Sequence, residues 1–111
     1  MMKTYRVEIT KYAKNQMRDI ARYVKLKLKN PDAAKLLLHD LKKEILSLAN
    51  MPQRIPLTEE KIWREQGIHK MPVKNYLVYF WIDENKNIVY VTAVIYNKRE
   101  QKRQLSKMEM Q

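Results

Sequence analysis

Two histidines, seven tyrosines and a basic run near the C-terminus are the groups in this sequence that can do chemistry. His69 stands in the strand-like stretch GIHKMPV, and an imidazole can give or take a proton near neutral pH. Arg99 follows an apolar run that ends at Tyr96, and a guanidinium suits bidentate contact with phosphate or carboxylate. By alternation, Tyr90, Thr92, Val94 and Tyr96 share one side of that run. Lys70, Lys74, Lys98, Lys102 and Arg103 add cations suited to a polyanionic backbone. Plain roles stand beside each of these. His69 can be a solvated strand histidine, Arg99 a clamp on Asp83, Glu84 or a partner, and the tyrosines ordinary sheet residues. Trp63 and Trp81 read as core or hairpin anchors, and His39, among Leu37, Leu38 and Leu41, as structural.

What is missing narrows the chemistry. There is no cysteine, which removes disulfides and thiolate metal sites, and Gly67 is the single glycine, which argues against a glycine-rich phosphate loop. No metal or cofactor is expected. Lys and Arg number 23 against 12 acids, a formal charge of +11. Such self-repulsion points to a polyanionic or strongly acidic partner, with a lysine-rich host proteome as the bland alternative. No helix-turn-helix spacing or aromatic nucleic-acid motif stands out. The opening MMKTYRVEIT carries no signal-peptide pattern and no stretch reaches membrane-span length, so the expected location is the cytoplasm.

The elements that must position these groups follow from periodicity. Tyr5, Val7 and Ile9 alternate as a short strand over 4–9. Ala13, Met17, Ile20, Ala21, Val24 and Leu28 mark one face of a basic helix over 11–29, with Thr10 as its cap. Asn30-Pro31-Asp32 restarts a second helix, whose apolar face runs from Ala34 through Leu37, Leu38, Leu41 and Ile45 to Leu48. So short a joint makes an antiparallel hairpin. A connector over 51–66, with a helical turn near Trp63, leads to strands over 67–73, 75–82 and 88–96. In the last, Val89, Val91, Ala93 and Ile95 read as the core face. The tail reads as a short helix anchored by Leu105. The expected fold is a single α+β domain over 1–111, of order β-α-α-β-β-β. A helical hairpin packs on a twisted, mainly antiparallel four-stranded sheet and leaves the sheet's other side cationic and free.

Three segments then carry a resemblance: KNPDAAKLLLHDLKKEILSLANMP, GIHKMPVKNYLVYFWIDE and VYVTAVIYNKREQKRQL. In this order, with the opening strand, they resemble the RelE/ParE superfamily, the toxins of type II toxin–antitoxin pairs. The long hairpin is closer to the ParE and plasmid-stabilisation branch. The resemblance implies a growth-arresting toxin held inactive by a cognate acidic antitoxin. Its two known modes are cleavage of mRNA on the ribosome and inhibition of DNA gyrase. The first is the reading the charge favours, as a metal-independent endoribonuclease, and the second is the alternative. Cleavage needs a base, an acid and cations around the phosphate. The resemblance puts Arg99 at the family's arginine after the last strand and His69 where related chains carry a basic residue. Tyr76 stands where RelE has a phosphate-contacting arginine. Leu105 stands where RelE has a tyrosine, so Tyr96 becomes the candidate to replace it. The catalytic candidates are thus Arg99, His69 and Tyr96.

Overall fold

Thr10 decides where the first strand stops and the first helix starts. Its side chain accepts a hydrogen bond from the Ala13 amide at 3.2 Å, closing the N-terminus of α1 (Lys11–Leu26) directly after β1 (Arg6–Ile9). Asn30 does the same for α2 (Pro31–Leu46), accepting from the Ala33 amide at 3.1 Å, with Pro31 in the first turn. Lys29, at φ 51°, carries the reversal between the helices. The computed structural model describes residues 3–98 and 101–111, without the side chains of Gln101 and Lys102.

After α2 the chain passes through two 3₁₀ turns, at Ser47–Ala49 and Pro52–Arg54, and a short helix α3 (Lys61–Arg64). It then forms β2 (His69–Val73), β3 (Tyr76–Asp83), β4 (Ile88–Tyr96) and α4 (Gln101–Leu105). The sheet order is β1-β4-β3-β2, with β1 parallel to β4 and the other pairs antiparallel. The expected α+β arrangement is present, with the helical turn at Trp63 and the terminal helix ending on Leu105.

The main core lies between the hairpin and one face of the sheet. Leu41, Ile45 and Leu48 meet Val78, Phe80, Val89 and Val91 there, all of them fully buried. Each such aliphatic side chain contributes about 1.5–3 kcal/mol by leaving water. β2 is an edge strand, and the connector blunts it. Thr58 N–H donates to the Ile68 carbonyl, the Lys70 N–H donates to the Pro56 carbonyl, and Pro72 has no N–H to offer.

Two expectations are corrected. The alternation expected for β4 breaks at Thr92, because Val91 pairs with Phe80 while Ala93 pairs with Tyr79, which leaves Thr92 without an opposite residue. This bulge shifts the pleat by one position. Val89, Val91 and Val94 therefore face the hairpin, while Ala93 and Ile95 join a second core on the other side. That other side is also not free. Ile68, Leu77, Tyr79, Ala93 and Ile95 are buried there with Leu105, and Tyr12, Trp63, Trp81, Met108 and Met110 pack around them. The covering is held by polar ties: the Trp81 indole N–H donates to the Met110 carbonyl at 2.7 Å, and the Tyr12 hydroxyl to the Gln104 carbonyl at 2.8 Å. Among the described residues no helix is long and apolar enough to cross a membrane.

Candidate functional site

His69 opens β2 on the hairpin side of the sheet, paired with Phe80. Its ring stacks on Phe80 with centroids 4.9 Å apart and an interplanar angle of 7°. Nδ1 lies 2.7 Å from the Ile55 carbonyl oxygen. A carbonyl only accepts, so Nδ1 donates the hydrogen of this bond. These contacts tie the 51–60 connector to the sheet, and they hold the imidazole against apolar surface.

Tyr96 ends β4 on the same side of the sheet, but at the opposite corner. It pairs with Tyr76, their ring centroids 5.5 Å apart and tilted by 54°. His69 pairs with Phe80 and Tyr76 pairs with Val73, so Tyr96 lies four residue steps and two strands from His69. At about 3.3 Å per residue and about 4.8 Å per strand, the two Cα atoms stand roughly 16 Å apart. An acid and a base acting on one phosphodiester must each reach it by hydrogen bond or through one water. The structure does not bring His69 and Tyr96 together for that.

The cations divide in a similar way. Lys70 and Lys74 already hold carboxylates: Lys70 Nζ lies 2.5 Å from Glu59, and Lys74, in the β2–β3 turn, pairs with Asp40 of α2. Each lysine's hydrogen bond pulls its partner's carboxyl below the usual carboxylate range. Lys98 follows β4 beside the tyrosine pair, and Arg103 is exposed on α4. Arg99 and the side chain of Lys102 lie outside the described residues. His39 is exposed and within 3.6 Å of Asp40, so it is no part of the leucine face around it.

What the structure does assemble is a cleft at the end of the sheet beside α1. About 700 Å³ is lined by Gln16, Tyr23, Tyr76, Tyr96, Lys98 and Gln104 among others. Burial pushes the Tyr76 hydroxyl above its usual range, with Tyr96 and Tyr23 adding to the effect. A phenol held protonated at neutral pH is a hydrogen-bond donor, not a base. Gln16 anchors the cleft wall, its side-chain oxygen accepting from the Val94 amide at 2.7 Å. Gln16 and Tyr23 were not singled out from the sequence. The signal was available, since Gln16, Ile20 and Tyr23 fall at i, i+4 and i+7 on α1. Among the described residues no group of histidine, aspartate and glutamate is arranged to hold a metal ion.

The comparison with known families decides what this scaffold is. Residues 7–101 match the family described as the ParE toxin of type II toxin–antitoxin system, parDE. The chain belongs to this toxin family. No curated protein matches the sequence. Among solved structures, this ParE-family toxin is similar to a chain of the P. aeruginosa chromosomal ParDE system, at TM-score 0.67 and 12% identity, covering 84% of this chain and 96% of that one. It is similar to a chain of the RelBE2 toxin–antitoxin complex from Mycobacterium tuberculosis, at TM-score 0.61 and 17% identity, covering 84% and 98%. A mutant of the E. coli toxin RelE in the free state matches at TM-score 0.60 and 15% identity, covering 94% and 93%. At these identities the likeness is one of fold, which ParE and RelE toxins share.

Proposed function

We propose that this ParE-family toxin arrests growth by binding and inhibiting DNA gyrase, and that a cognate acidic antitoxin keeps it inactive. The roughly 16 Å between His69 and Tyr96 carries this reading. The groups nominated for proton transfer sit at opposite corners of the sheet, and His69 is engaged with Ile55 and Phe80. The sheet face expected to be free is filled by Leu105 and the chain that follows it. A protein that acts by occupying its target needs a shaped surface and no convergent acid and base. The match of residues 7–101 to a ParE model supports the same mode. Similar structures include toxin–antitoxin complexes, which supports an antitoxin partner.

The second reading is ribosome-dependent mRNA cleavage with Arg99, His69 and Tyr96 as its catalytic groups. The net charge of +11 favours it, because cations on a phosphate backbone release counterions. Pulse labelling after induction without the antitoxin separates the two. Gyrase inhibition stops thymidine incorporation and raises DNA-damage signalling while amino-acid incorporation continues at first. Immediate loss of amino-acid incorporation with ongoing DNA synthesis would overturn the proposal in favour of the nuclease.

A further inference from the structure

Two methionines help to fasten the tail over the second face of the sheet. Past Leu105 the chain folds back as a strap: the Lys107 N–H donates to the Gln104 carbonyl at 3.3 Å, and the Met108 N–H to the Leu105 carbonyl at 3.0 Å. Met108 and Met110, both partly buried, pack on the same apolar cluster as Tyr12, Trp63 and Trp81. Polar ties run to backbone oxygens of the strap itself. Trp81 of β3 holds it through the Met110 carbonyl, and Tyr12 of α1 through the Gln104 carbonyl. Gln104 also lines the cleft beside α1, so the strap supplies part of that cleft's wall.

The seven methionines do not share one environment. Met1 and Met2 lie outside the described residues. Met17 and Met71, each 4% exposed, belong to the core under the hairpin, shielded from a dissolved oxidant. Met51 is 57% exposed and packs in neither core cluster. Met108 and Met110 combine the two conditions, since solvent reaches them and they cover buried apolar residues. With no cysteine in the chain, thioethers are its only sulfur. A hydroperoxide oxidises a thioether by two electrons. The sulfur lone pair attacks a peroxide oxygen, the O–O bond breaks, and the sulfoxide forms as the peroxide is reduced to water or an alcohol. The added oxygen is a strong acceptor on a side chain that was apolar. Beside Met110 the donor at hand is the Trp81 indole N–H, which already serves the Met110 carbonyl. A sulfoxide that takes this donor unfastens the strap, and one that turns to water uncovers the cluster. Methionine is also a common filler of irregular gaps, and in that role alone it would leave the strap closed when oxidised.

We propose that Met108 and Met110 form an oxidation site, whose sulfoxides release the strap from the sheet's second face and from the wall of the cleft. The release is reversible by methionine sulfoxide reductases, which restore the thioether and free the oxygen as water while a dithiol becomes a disulfide. This goes beyond the mode of action above and does not depend on which target the toxin takes.

The test treats the purified full chain with hydrogen peroxide and locates added oxygen by peptide mass spectrometry. Amide hydrogen exchange over residues 104–110 is then compared before oxidation, after it, and after repair by both reductases, one for each sulfoxide epimer. The variants are Met108→Leu with Met110→Leu, a swap close in volume that cannot be oxidised, and Met51→Leu as the control. In the wild type, Met108 and Met110 are expected to gain oxygen well before Met17 and Met71. Exchange over the strap should speed up at least about tenfold and return to its starting rate on repair. Met51→Leu should respond as the wild type does, and the double leucine variant should keep slow exchange in peroxide. The repair step uses the wild-type chain, so the test stands even where the leucine pair loosens the strap by itself. Oxidation of Met108 and Met110 with unchanged exchange would make them gap-fillers and overturn the proposal. Three other results would overturn it as well: resistance of both residues to peroxide, equal opening of the oxidised double leucine variant, or exchange that stays fast once the thioethers are restored.

Discussion

His69 and Tyr96 occupy opposite corners of the same sheet face, one stacked on Phe80 and bonded to Ile55, the other set against Tyr76.

If His69 is an anchor for the connector, removing it costs stability and not toxicity. His69→Ala loses one hydrogen bond and one ring stack, a cost of about 1–2 kcal/mol in urea unfolding. Growth arrest by the variant should match the wild type at equal soluble expression, and Tyr96→Phe should behave alike. Loss of toxicity by a stably folded His69→Ala would place the imidazole in the mechanism after all.

The tail that closes the second core should behave as core. Leu105 is fully buried among Ile68, Tyr79 and Ile95, so Leu105→Ala is expected to destabilise by about 2–4 kcal/mol in chemical denaturation. Leu46→Ala, at a site 64% exposed, should stay within about 0.5 kcal/mol of the wild type.

Thr58 is 1% exposed, and among the described residues its hydroxyl oxygen finds no hydrogen-bond partner. Replacing it with an isosteric methyl removes a desolvated polar atom at little steric cost. Thr58→Val should raise stability by about 1 kcal/mol, read as a shift in the denaturation midpoint at constant slope. A destabilised variant would mean that the hydroxyl is satisfied in solution.

The carboxyls of Asp40 and Glu59 are held below their ordinary values of 3.8 and 4.5, first by hydrogen bonds from Lys74 and Lys70. A depressed carboxylate favours the fold above its unfolded value, and the benefit disappears as pH falls through the folded one. Melting temperature should therefore decline as pH drops below about 4.5, and Asp40→Asn with Glu59→Gln should flatten that acid limb. At the other extreme, burial pushes the Tyr79 phenol up to about 12 from 10.0. Stability that this group contributes below pH 10 is lost as pH rises through that window, which ultraviolet titration of the tyrosines can follow.

Much of the architecture was legible because local signals and the fold agree. Thr10 and Asn30 cap the helices they precede, Leu105 anchors the tail, and the strand expected over 88–96 has those bounds. Two features escaped. In Val89 to Ile95 every residue suits a strand, so nothing in residue type marks Thr92 as the extra one, and a single bulge exchanges the faces of all that follow. The closure of the second face depends on contacts between Trp81 and Met110, 29 positions apart, which no local pattern encodes. The candidate site suffered most, because sharing a sheet face says nothing of distance along it. Alternation cannot reveal that His69 and Tyr96 stand two strands apart.

A toxin that acts by occupying a protein should not turn over RNA. The most direct measurement adds the purified chain, at one-tenth the amount of message, to ribosomes programmed with a defined mRNA, and follows that mRNA by primer extension. Full-length message is expected after many minutes, even where the same preparation stops gyrase supercoiling. Cleaved messages that outnumber the toxin molecules would contradict it.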